Sequence, residues 1–477
     1  MVQDIKFGTS GYRAIISDGF TYESVKIVTQ AITEHIRFRA NKSQQHKVIV
    51  GYDTRFLSDE FARCSSQVLA ANGVKVFLTK RDVPTPTVAY EIVKKKLDGG
   101  IIFTASHNPA QYNGIKFSAA WGGPALPETT SDIEKRARRI IKSKTVPKMM
   151  DFEQARKKGL IKQIDPRGDY MKRIAELVDI DVIKKAKLKV VVDLLYGTGR
   201  GYLDTFLKEA GCRTTVLHDW RDVLFGGSSP EPALKNLAEM LKIMKKDRYD
   251  IGLGTDGDAD RFGIVDINGT FISPNEVLAL LADYLITTRK LRGVVARSVM
   301  TSSFVDAVAH SHGVGVRETP VGFKYIGQIL VNEDMVIGGE ESGGLTIHGH
   351  VPEKDGMLAC LLMAEMVAVK KKSVSAILSD LYKKVGIFIS DRINLGLDEK
   401  KMEALKLSLK KNPPSKIGGL RVDELITVDG FKFVLEDKSW VGIRLSGTEP
   451  VVRVYLEANS RKNMVRLKKA AQKLLRV

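Results

Sequence analysis

Short apolar runs alternate with amphipathic helical patterns over most of this chain. Apolar runs at 46–53, 74–79 and 99–109 predict three buried strands, and the pattern near 59–72 predicts a helix between the first two. The same rhythm returns twice further along the chain. It predicts strands at 188–195, 213–218, 250–261, 293–298, 314–320 and 335–344, and helices near 201–210, 234–247, 276–288 and 301–310. Strands that alternate with helices favour mainly parallel sheets covered by helices.

The last part of the chain has a different pattern. A strand at 388–395 and a helix near 398–411 precede three strand patterns in a row, FKFVLED, WVGIRLSG and VVRVYLEA. A final helix is predicted at 460–475. Consecutive strands with few helices are typical of a smaller α+β domain.

The domain organisation follows from length and from these changes of pattern. A chain of 477 residues suggests three to four domains at roughly 100–200 residues each. We predict three α/β domains at 1–150, 151–270 and 271–385, followed by an α+β domain at 386–477.

Composition adds a strong positive charge to this picture. Lys plus Arg number 75 and Asp plus Glu 56, which gives a net charge of +19. The lysines form short runs without interleaved aromatic residues, so they favour solvated helix faces over a nucleic-acid surface.

Cys64, Cys212 and Cys360 lack metal-type spacing, and we expect small buried residues in a reducing compartment. No signal peptide and no apolar stretch of bilayer length is found, so we expect a cytoplasmic protein without a membrane partner.

Three of the predicted strands end in small polar loops, TASHNP, TDGDADR and GGEESGG. In α/β sheets, ligands bind outside the carboxyl ends of the strands. Three domains that each contribute one such loop suggest a single shared site between them.

The segment DGDADR carries Asp256, Asp258 and Asp260 at a spacing of two, which places three carboxylates on one side of the chain. These groups repel unless a cation lies among them, and oxygen ligands suit magnesium, calcium or manganese. An EF-hand is excluded, because its sixth and twelfth positions require Gly and Glu and this chain has Arg261 and Ile267. A metal that handles a phosphate is favoured over the alternative, a polar turn capped by Asp and Gly.

Ser106 lies beside His107 in the segment TASHNP. No G-x-S-x-G pattern surrounds the serine, so an acyl-transfer triad is disfavoured. If the loop opens a helix, the backbone N–H groups and the helix dipole favour an anion at Ser106, which fits a serine that carries phosphate. A serine that caps a helix N-terminus explains the isolated segment equally well.

Two more segments offer groups for sugar hydroxyls or phosphate. GGEESGG places Glu340, Glu341 and Ser342 on a glycine-rich turn, where their oxygens suit sugar hydroxyls, although a plain tight turn is the alternative. ETPVGFKY and PEKDG add Lys324 and Lys354, each of which alone is more typical of a solvated surface.

The segment RLSGTEP combines a guanidinium, two hydroxyls and exposed backbone N–H groups, which together suit a phosphate. The residues concerned are Arg444, Ser446, Gly447 and Thr448. Near the start, FGTSGYR adds Arg13 in a cluster of glycine and serine, for which a flexible terminus is the alternative.

Taken in order, FGTSGYR, TASHNP, DGDADR, GEESGG and RLSGTEP resemble the motifs of the α-D-phosphohexomutase family, over a match from residue 7 to about 455. The resemblance implies four domains around a central cleft. Three are similar α/β domains with mixed, mostly parallel sheets, and the fourth is a C-terminal α+β domain. It also implies an isomerase that moves a phosphoryl group within a phosphorylated hexose.

The resemblance implies a role for each candidate residue. Ser106 would carry the phosphoryl group and would bind Mg²⁺, one ion per subunit, together with Asp256, Asp258 and Asp260. Other residues implied in catalysis are Arg13, His107, Lys116 and Arg261, with Lys116 a possible general base. Residues implied in substrate binding are Thr319, Gly322, Lys324, Glu340, Ser342, Lys354, Arg444, Ser446, Gly447 and Thr448.

One position of the sequence limits the choice of substrate within the family. The phosphomannomutase/phosphoglucomutase and phosphoglucosamine branches usually carry histidine after GE-x-SG, where this chain has Gly344, and GEES is more typical of phosphoglucomutases. We therefore expect a phosphoglucomutase with a glucose 1,6-bisphosphate intermediate and activator, as a monomer or homodimer. Phosphomannomutase, a dual-specificity enzyme and phosphoglucosamine mutase are the alternatives within the family. A serine-dependent metal phosphatase and a non-enzymatic binding protein are the alternatives outside it.

Overall fold

The computed structural model describes residues 5–8, 11–39, 45–445 and 451–475. Four sheets follow one another along the chain. The first three are mixed, mostly parallel sheets with helices, and the fourth is an antiparallel sheet with two helices. This arrangement confirms the predicted fold class.

The first sheet has six strands in the order β1-β5-β4-β2-β3-β6. Its strands are β1 (Tyr12–Ile15), β2 (Lys47–Tyr52), β3 (Lys75–Thr79), β4 (Gly99–Phe103), β5 (Tyr112–Ala119) and β6 (Ile161–Ile164). Its helices are α1 (Tyr22–Arg39), α2 (Ser58–Ala71), α3 (Thr85–Lys95), α4 (Pro127–Lys142) and α5 (Phe152–Lys157). Strand β6 pairs with β3, so this sheet takes an edge strand from beyond residue 150, where the sequence suggests the first boundary.

Both faces of the first sheet are buried. Val48 and Val50 of β2 belong to the core beneath α1, α2 and α4, whereas Ile49 packs with α3 on the opposite face. Alternate residues of a strand point to opposite faces, so a continuous apolar run is what a sheet covered on both sides requires.

The second sheet has the order β11-β10-β9-β7-β8, and the third has the order β13-β12-β14-β15. The strands of the second are β7 (Lys189–Asp193), β8 (Arg213–Leu217), β9 (Ile251–Thr255), β10 (Phe262–Asp266) and β11 (Thr270–Ile272). Helices of this part are α6 (Arg167–Leu177), α7 (Ile180–Ala186), α8 (Leu203–Glu209) and α9 (Ala238–Lys246), with short 3₁₀ helices at Phe225–Gly227 and Ile267–Gly269.

The third sheet completes the α/β part of the chain. Its strands are β12 (Val294–Ser298), β13 (Val316–Thr319), β14 (Met335–Glu340) and β15 (Gly344–Ile347). Its helices are α10 (Pro274–Thr287), α11 (Phe304–Ser311), α12 (Phe323–Asn332), α13 (Gly356–Lys370) and α14 (Val374–Val385).

The fourth sheet has six antiparallel strands in the order β16-β21-β20-β19-β18-β17. The strands are β16 (Ile389–Gly396), β17 (Lys416–Ile417), β18 (Leu420–Ile426), β19 (Phe431–Leu435), β20 (Trp440–Leu445) and β21 (Val451–Ala458). Its helices are α15 (Glu399–Lys411) and α16 (Arg461–Leu474).

An equivalent hairpin recurs in each of the first three sheets. Strand β4 lies between its parallel neighbour β2 and its antiparallel neighbour β5. Strand β9 lies in the same way between β7 and β10, and β14 lies between β12 and β15. The three polar loops singled out from the sequence are the turns of these three hairpins.

Helix α13 joins the second and third sheets. It is apolar on all sides and buried along almost its whole length, and it packs on strands of both sheets. Gly356 at its start lies against the loop that follows β9, and a Cβ there would fall 2.1 Å from Arg261 O. The glycine therefore allows the helix to begin directly beside that loop.

The described part of the chain contains no helix with the length and apolar character needed to cross a bilayer. All three cysteines are free and buried, as the sequence predicted.

A buried lysine joins the fourth sheet to the third. Lys432 of β19 donates a hydrogen bond to Val299 O at 2.8 Å and lies 4.3 Å from the centre of the Trp440 ring. Burial, with Arg297, lowers the pKa of Lys432 to about 8, against the opposing effect of carboxylates at positions 318, 457 and 306.

We expect this lysine to make stability rise with pH. The unfolded chain keeps its proton on Lys432 up to about pH 10.4, whereas the folded protein releases it near pH 8, so unfolding takes up a proton between these values. The free energy of unfolding should therefore gain up to about 1.4 kcal/mol per pH unit in this window from this group. Urea unfolding of wild type and Lys432→Met at several pH values checks this, since the variant should lack the rise. Equal pH slopes for the two proteins would contradict it.

Candidate active site

Three loops at the carboxyl ends of β4, β9 and β14 meet at one place. Ser106 Oγ donates a hydrogen bond to Asp256 Oδ2 at 2.8 Å. The loop of Asp256 contacts the third loop, because Phe262 N donates to Gly343 O at 3.1 Å. The strand ends that suggested one shared site are thus brought together.

Three carboxylates lie at the centre. Asp256, Asp258 and Asp260 are fully buried, and they offer ligand oxygens that all lie within 4.8 Å of one another. Asp256 Oδ1 also accepts hydrogen bonds from Asp260 N at 2.9 Å and from Arg261 N at 3.0 Å. Asp256 therefore stabilises the turn through its Oδ1 atom and also faces the carboxylates of Asp258 and Asp260. The interpretation of DGDADR as a polar turn is thus compatible with its interpretation as a metal site.

The carboxylates leave room for a hard divalent cation. Among the residues that the structure describes, no donor reaches Asp258 Oδ1 or Asp260 Oδ1, although both oxygens are buried. A buried carboxylate oxygen without a partner is costly, and a bound cation removes that cost. An oxygen-only donor set fits magnesium, manganese or calcium.

The pKa values of these carboxyl groups are displaced in opposite directions. Burial and the carboxylates of Asp258 and Asp260 raise the pKa of Asp256 well above its ordinary value. Burial also raises the pKa of Asp258, but the ammonium groups of Lys116 and Lys354 and the hydrogen bonds from Lys116 and Thr85 together lower it by more, so that the carboxyl stays ionised. Ionising Asp256 beside the other two carboxylates is therefore unfavourable without a further cation.

Two lysines face the cluster directly. Lys116 Nζ donates to Asp258 Oδ2 at 2.6 Å and to Asp260 Oδ2 at 3.2 Å, and Lys354 Nζ donates to Asp260 Oδ2 at 2.6 Å. Burial lowers the pKa of Lys116, but the two carboxylates raise it by more, to above its ordinary value. Lys116 is therefore a cation in this arrangement.

Ser106 occupies an unusual backbone conformation. Its φ is +53°, in the left-handed region, and its N–H donates to Thr104 Oγ1 at 2.8 Å. His107 Nδ1 lies 3.3 Å from Ser106 Oγ. Burial and the cations Arg261 and Arg13 hold the pKa of His107 well below its ordinary value, so the ring is neutral at pH 7.

The loop of Ser106 does not open a helix. Residues 104–111 form turns between β4 and β5, and the chain continues directly into the antiparallel strand. The N-cap interpretation of Ser106 is therefore wrong, and the condition for an anion site at the start of a helix formed by this loop is not met. The positive field at the serine comes from side chains instead.

Two arginines supply part of that field. Arg13 Nη1 donates to Ala105 O at 3.1 Å and to Asn108 Oδ1 at 2.5 Å, which fixes it beside the loop of Ser106. Arg261 lies with its Nη1 3.9 Å from Glu231 Oε1, and no acceptor among the described residues reaches its buried Nε. The guanidinium of Arg261 thus keeps donors for a further acceptor.

The turn of the third hairpin carries the predicted sugar-binding groups. Glu340 Oε1 accepts a hydrogen bond from Gly322 N at 2.8 Å, and Thr319 lies at the end of β13, two strands away from β14 in the same sheet. Burial, followed by the charge of Glu341, raises the pKa of Glu340 to about 7. Ser342 is half-buried in the same turn.

Lys324 approaches the other lysines. Lys324, Lys116, Lys354 and Glu353 line one pocket, between the first and third α/β units. Burial lowers the pKa of Lys324, and burial raises the pKa of Glu353 to about 6. Two lysines that the sequence could not distinguish from surface residues, Lys324 and Lys354, therefore line the site.

Arg444 connects the fourth sheet to this place. Its Nε donates to Asp429 Oδ1 at 3.0 Å, and Asp429 Oδ2 accepts from Val321 N at 3.1 Å, next to Gly322. The other predicted phosphate-binding residues, Ser446, Gly447 and Thr448, lie outside the described residues.

Two residues near the site were missed from the sequence. Thr85 Oγ1 donates to Asp258 Oδ2 at 2.5 Å, and the fully buried Arg55 donates to Ser106 O at 2.6 Å. A signal for Arg55 was present, because it follows closely on β2, whose carboxyl end lies at the same edge of the sheet as the loop of Ser106.

Comparison with known protein families finds matches along nearly the whole chain. Four domain families described as phosphoglucomutase/phosphomannomutase match it in order. They are alpha/beta/alpha domain I at 4–144, domain II at 168–269, domain III at 273–385 and the C-terminal domain at 393–474.

Whole-length relatives carry several substrate names. A phosphoglucomutase of Komagataeibacter xylinus is 30% identical, over 96% of this chain and 88% of the relative. A Methanothermobacter thermautotrophicus protein named as a phosphoglucosamine mutase is 31% identical, over 95% of this chain and 94% of its own. A crystal structure from Thermus thermophilus, named as a phosphomannomutase, matches with a TM-score of 0.86 at 32% identity, over 100% of both chains.

Proposed function

Since this chain belongs to the phosphoglucomutase/phosphomannomutase family of α-D-phosphohexomutase isomerases, we propose that it interconverts glucose 1-phosphate and glucose 6-phosphate. The observation that carries the proposal is the pairing of Ser106 with the carboxylate cluster, at 2.8 Å from Oγ to Asp256 Oδ2. A hydroxyl beside three buried carboxylates and several cations suits a phosphoryl carrier next to a metal.

The metal is assigned to the carboxylates. Asp256, Asp258 and Asp260 would bind Mg²⁺ together with the phosphate of phosphorylated Ser106. When bound, the ion would neutralise charge on the phosphoryl oxygens. The Oδ1 atoms of Asp258 and Asp260 support this assignment, because no described donor occupies them and they can act as ligands.

Phosphoryl transfer then uses the chain's own groups for positioning. A sugar hydroxyl oxygen forms a bond to phosphorus as the bond from phosphorus to Ser106 Oγ breaks, which yields glucose 1,6-bisphosphate. The bisphosphate reorients, and its other phosphate returns to Ser106, so no water or outside phosphate is consumed. Arg13 and Arg261 would stabilise charge on the phosphoryl oxygens in transit.

The proton of the attacking hydroxyl needs an acceptor. The resemblance names Lys116 as a possible base, but Lys116 donates to Asp258 and Asp260, which keeps it protonated. Lys116 can act as the base only when those carboxylates are neutralised by another cation. His107, neutral and 3.3 Å from Ser106 Oγ, is the other candidate in reach.

The sugar would lie between this centre and the third and fourth sheets. Glu340 and Ser342 would face the sugar hydroxyls, with Gly322 and Thr319 holding the adjacent turn. Arg444 would bind the non-reacting phosphate with residues 446–448, while Lys324 and Lys354 add positive charge along the pocket. Because the two phosphates exchange places, this cradle must accept either end of the sugar.

The proposal of glucose rests on the motif around Gly344, and the structure shows what lies beside this position. A Cβ at Gly344 would lie 2.2 Å from the Cδ atom of Lys354, so a histidine at this position would displace that lysine. The position that usually carries histidine in the other branches is thus occupied by the lysine stem.

We propose a cytoplasmic enzyme that acts as a monomer or homodimer, with glucose 1,6-bisphosphate as activator.

Turnover on three sugars tests the substrate. With Mg²⁺ and the matching bisphosphate primer, we expect kcat/KM for glucose 1-phosphate to exceed the values for mannose 1-phosphate and glucosamine 1-phosphate by about tenfold, the effect of about 1.4 kcal/mol at the transition state. If glucose 1-phosphate were the poorest of the three, the glucose assignment would be wrong. Inorganic phosphate as the main product would indicate a phosphatase, and duplex binding without turnover would indicate a binding protein.

A further inference from the structure

Arg55 is a buried arginine that follows β2 and donates to the loop of Ser106. Its side chain is fully buried, and its Nε donates to Asp53 Oδ2 at 3.0 Å. The ion pair alone would explain a buried arginine, but it occupies only one of the five N–H donors.

The other four donors all reach the backbone of one loop. Nη1 donates to Pro109 O at 2.8 Å and Tyr112 O at 2.9 Å. Nη2 donates to Ser106 O and to Asn108 O, both at 2.6 Å. Every N–H of the Arg55 guanidinium therefore has an acceptor, and four of the five acceptors are carbonyl groups between 106 and 112.

Lysine cannot make this set of contacts. Its ammonium presents three donors from a single atom, whereas the guanidinium is a rigid planar fork whose donors point in several directions. The loop that Arg55 holds includes Ser106 with its left-handed φ of +53°, a conformation that surrounding contacts must maintain.

A loop of the second α/β unit, residues 220–230, covers Arg55 from outside. The Phe225 ring centre lies 5.0 Å from the Arg55 Cζ, and Arg221 donates to Thr54 O at 3.2 Å and to Arg55 O at 3.4 Å. Phe225 is buried and itself has a left-handed φ of +52°.

The same 220–230 loop also holds the carboxylate loop. Pro230 O accepts from Gly257 N at 3.1 Å, and a Cβ at Gly257 would lie 2.8 Å from Ser106 O. Ser106 O thus lies between the Arg55 guanidinium and Gly257, next to Asp256.

We propose that Arg55 is a positioning residue that holds Ser106 Oγ in line with Asp256, and that the 220–230 loop fixes Arg55 in this role. The inference rests on the proposed phosphoryl transfer through Ser106. Arg55 acts through the backbone of the loop.

The main test replaces Arg55 by lysine in the full-length protein. We expect Arg55→Lys to lower kcat about 100-fold with KM changed less than about threefold, because displacing the reacting group by about an ångström costs roughly that factor. Amide hydrogen exchange of the peptide covering 104–112 should become at least about tenfold faster.

A matched control separates positioning from general loss of stability. Arg289 also pairs with a buried carboxylate, with Nε to Oε1 of Glu365 at 2.9 Å, but Glu365 lies in the second half of α13, whereas the start of this helix contacts the carboxylate loop. Arg289→Lys should lower the thermal midpoint while leaving kcat and the exchange of 104–112 unchanged.

A second variant covers the case in which Arg55→Lys fails to fold. Arg221 is partly exposed, and Arg221→Gln removes its hold on the Arg55 backbone. It should lower kcat about tenfold at unchanged KM, with faster exchange of 104–112.

The results decide separately on the positioning role of Arg55 and on the proposed function. If wild type turns over a sugar phosphate and a folded Arg55→Lys keeps its kcat and exchange pattern, the positioning role is overturned. If Arg55→Lys does not fold, an Arg221→Gln variant with wild-type kcat overturns it. Absence of turnover in wild type itself refutes the proposed function, while the exchange comparison still decides whether Arg55 holds the loop.

Discussion

Replacing Ser106 by alanine should abolish mutase turnover and leave the fold intact. We expect kcat to fall by roughly 10⁴-fold or more, because the variant lacks the oxygen that bonds to phosphorus. The cost to stability should be about 1–2 kcal/mol, since one hydrogen bond to the buried Asp256 is lost. A coupled assay of glucose 6-phosphate formation, read beside a thermal unfolding curve, measures both effects.

Mass analysis makes the same variant a test of the covalent step. Wild type incubated with glucose 1,6-bisphosphate should gain one phosphoryl group, and Ser106→Ala should gain none. Ser66→Ala provides the matched control, because Ser66 is also fully buried but donates to Ala62 O within α2. A Ser106→Ala protein that still accepts the phosphoryl group, or keeps wild-type kcat, would refute the proposal.

The inner strands of the fold could be predicted because burial on both faces leaves a simple pattern. In strand β2, for example, Val48, Ile49 and Val50 are all fully buried, and the continuous apolar run reveals the strand. The antiparallel partners β5, β10 and β15 were not separated from the loops before them. Each begins within a few residues of its hairpin turn, and Asn113 and Gly114 near the start of β5 are residues typical of turns.

The carboxylates of the site could be predicted from the sequence more readily than the residues that hold their loops in place. Short segments such as DGDADR carry unusual spacing, so Asp256, Asp258 and Asp260 could be singled out without a structure. Arg55 and Thr85 contact these loops across separations of 51 and 173 residues, and the sequence offers no motif for either contact beyond the place of Arg55 just after β2. Only the pairing of β2 with β4 brings Arg55 to the loop of Ser106.

Removing the carboxylate of Asp256 should lower activity without lowering the stability of the metal-free protein. In the metal-free protein, burial and its two neighbours raise the pKa of Asp256, which shows that ionising this group is unfavourable there. Asp256→Asn keeps the shape of the side chain and removes one charge. We therefore expect its metal-free thermal midpoint to equal or exceed that of wild type, while kcat falls by about 10³-fold because a metal ligand is lost.

The response to Mg²⁺ completes this prediction. At a concentration about a hundred times its dissociation constant, Mg²⁺ should stabilise wild type by about 2.7 kcal/mol, and chelation should reverse the effect. Asp256→Asn should show little of this stabilisation. Asp380→Asn, which changes an exposed carboxylate paired with Lys372, should keep both the Mg²⁺ response and the turnover of wild type. If Asp256→Asn were stabilised by Mg²⁺ as much as wild type, the cation would have to bind elsewhere, and the cluster would lose its proposed role in phosphoryl transfer.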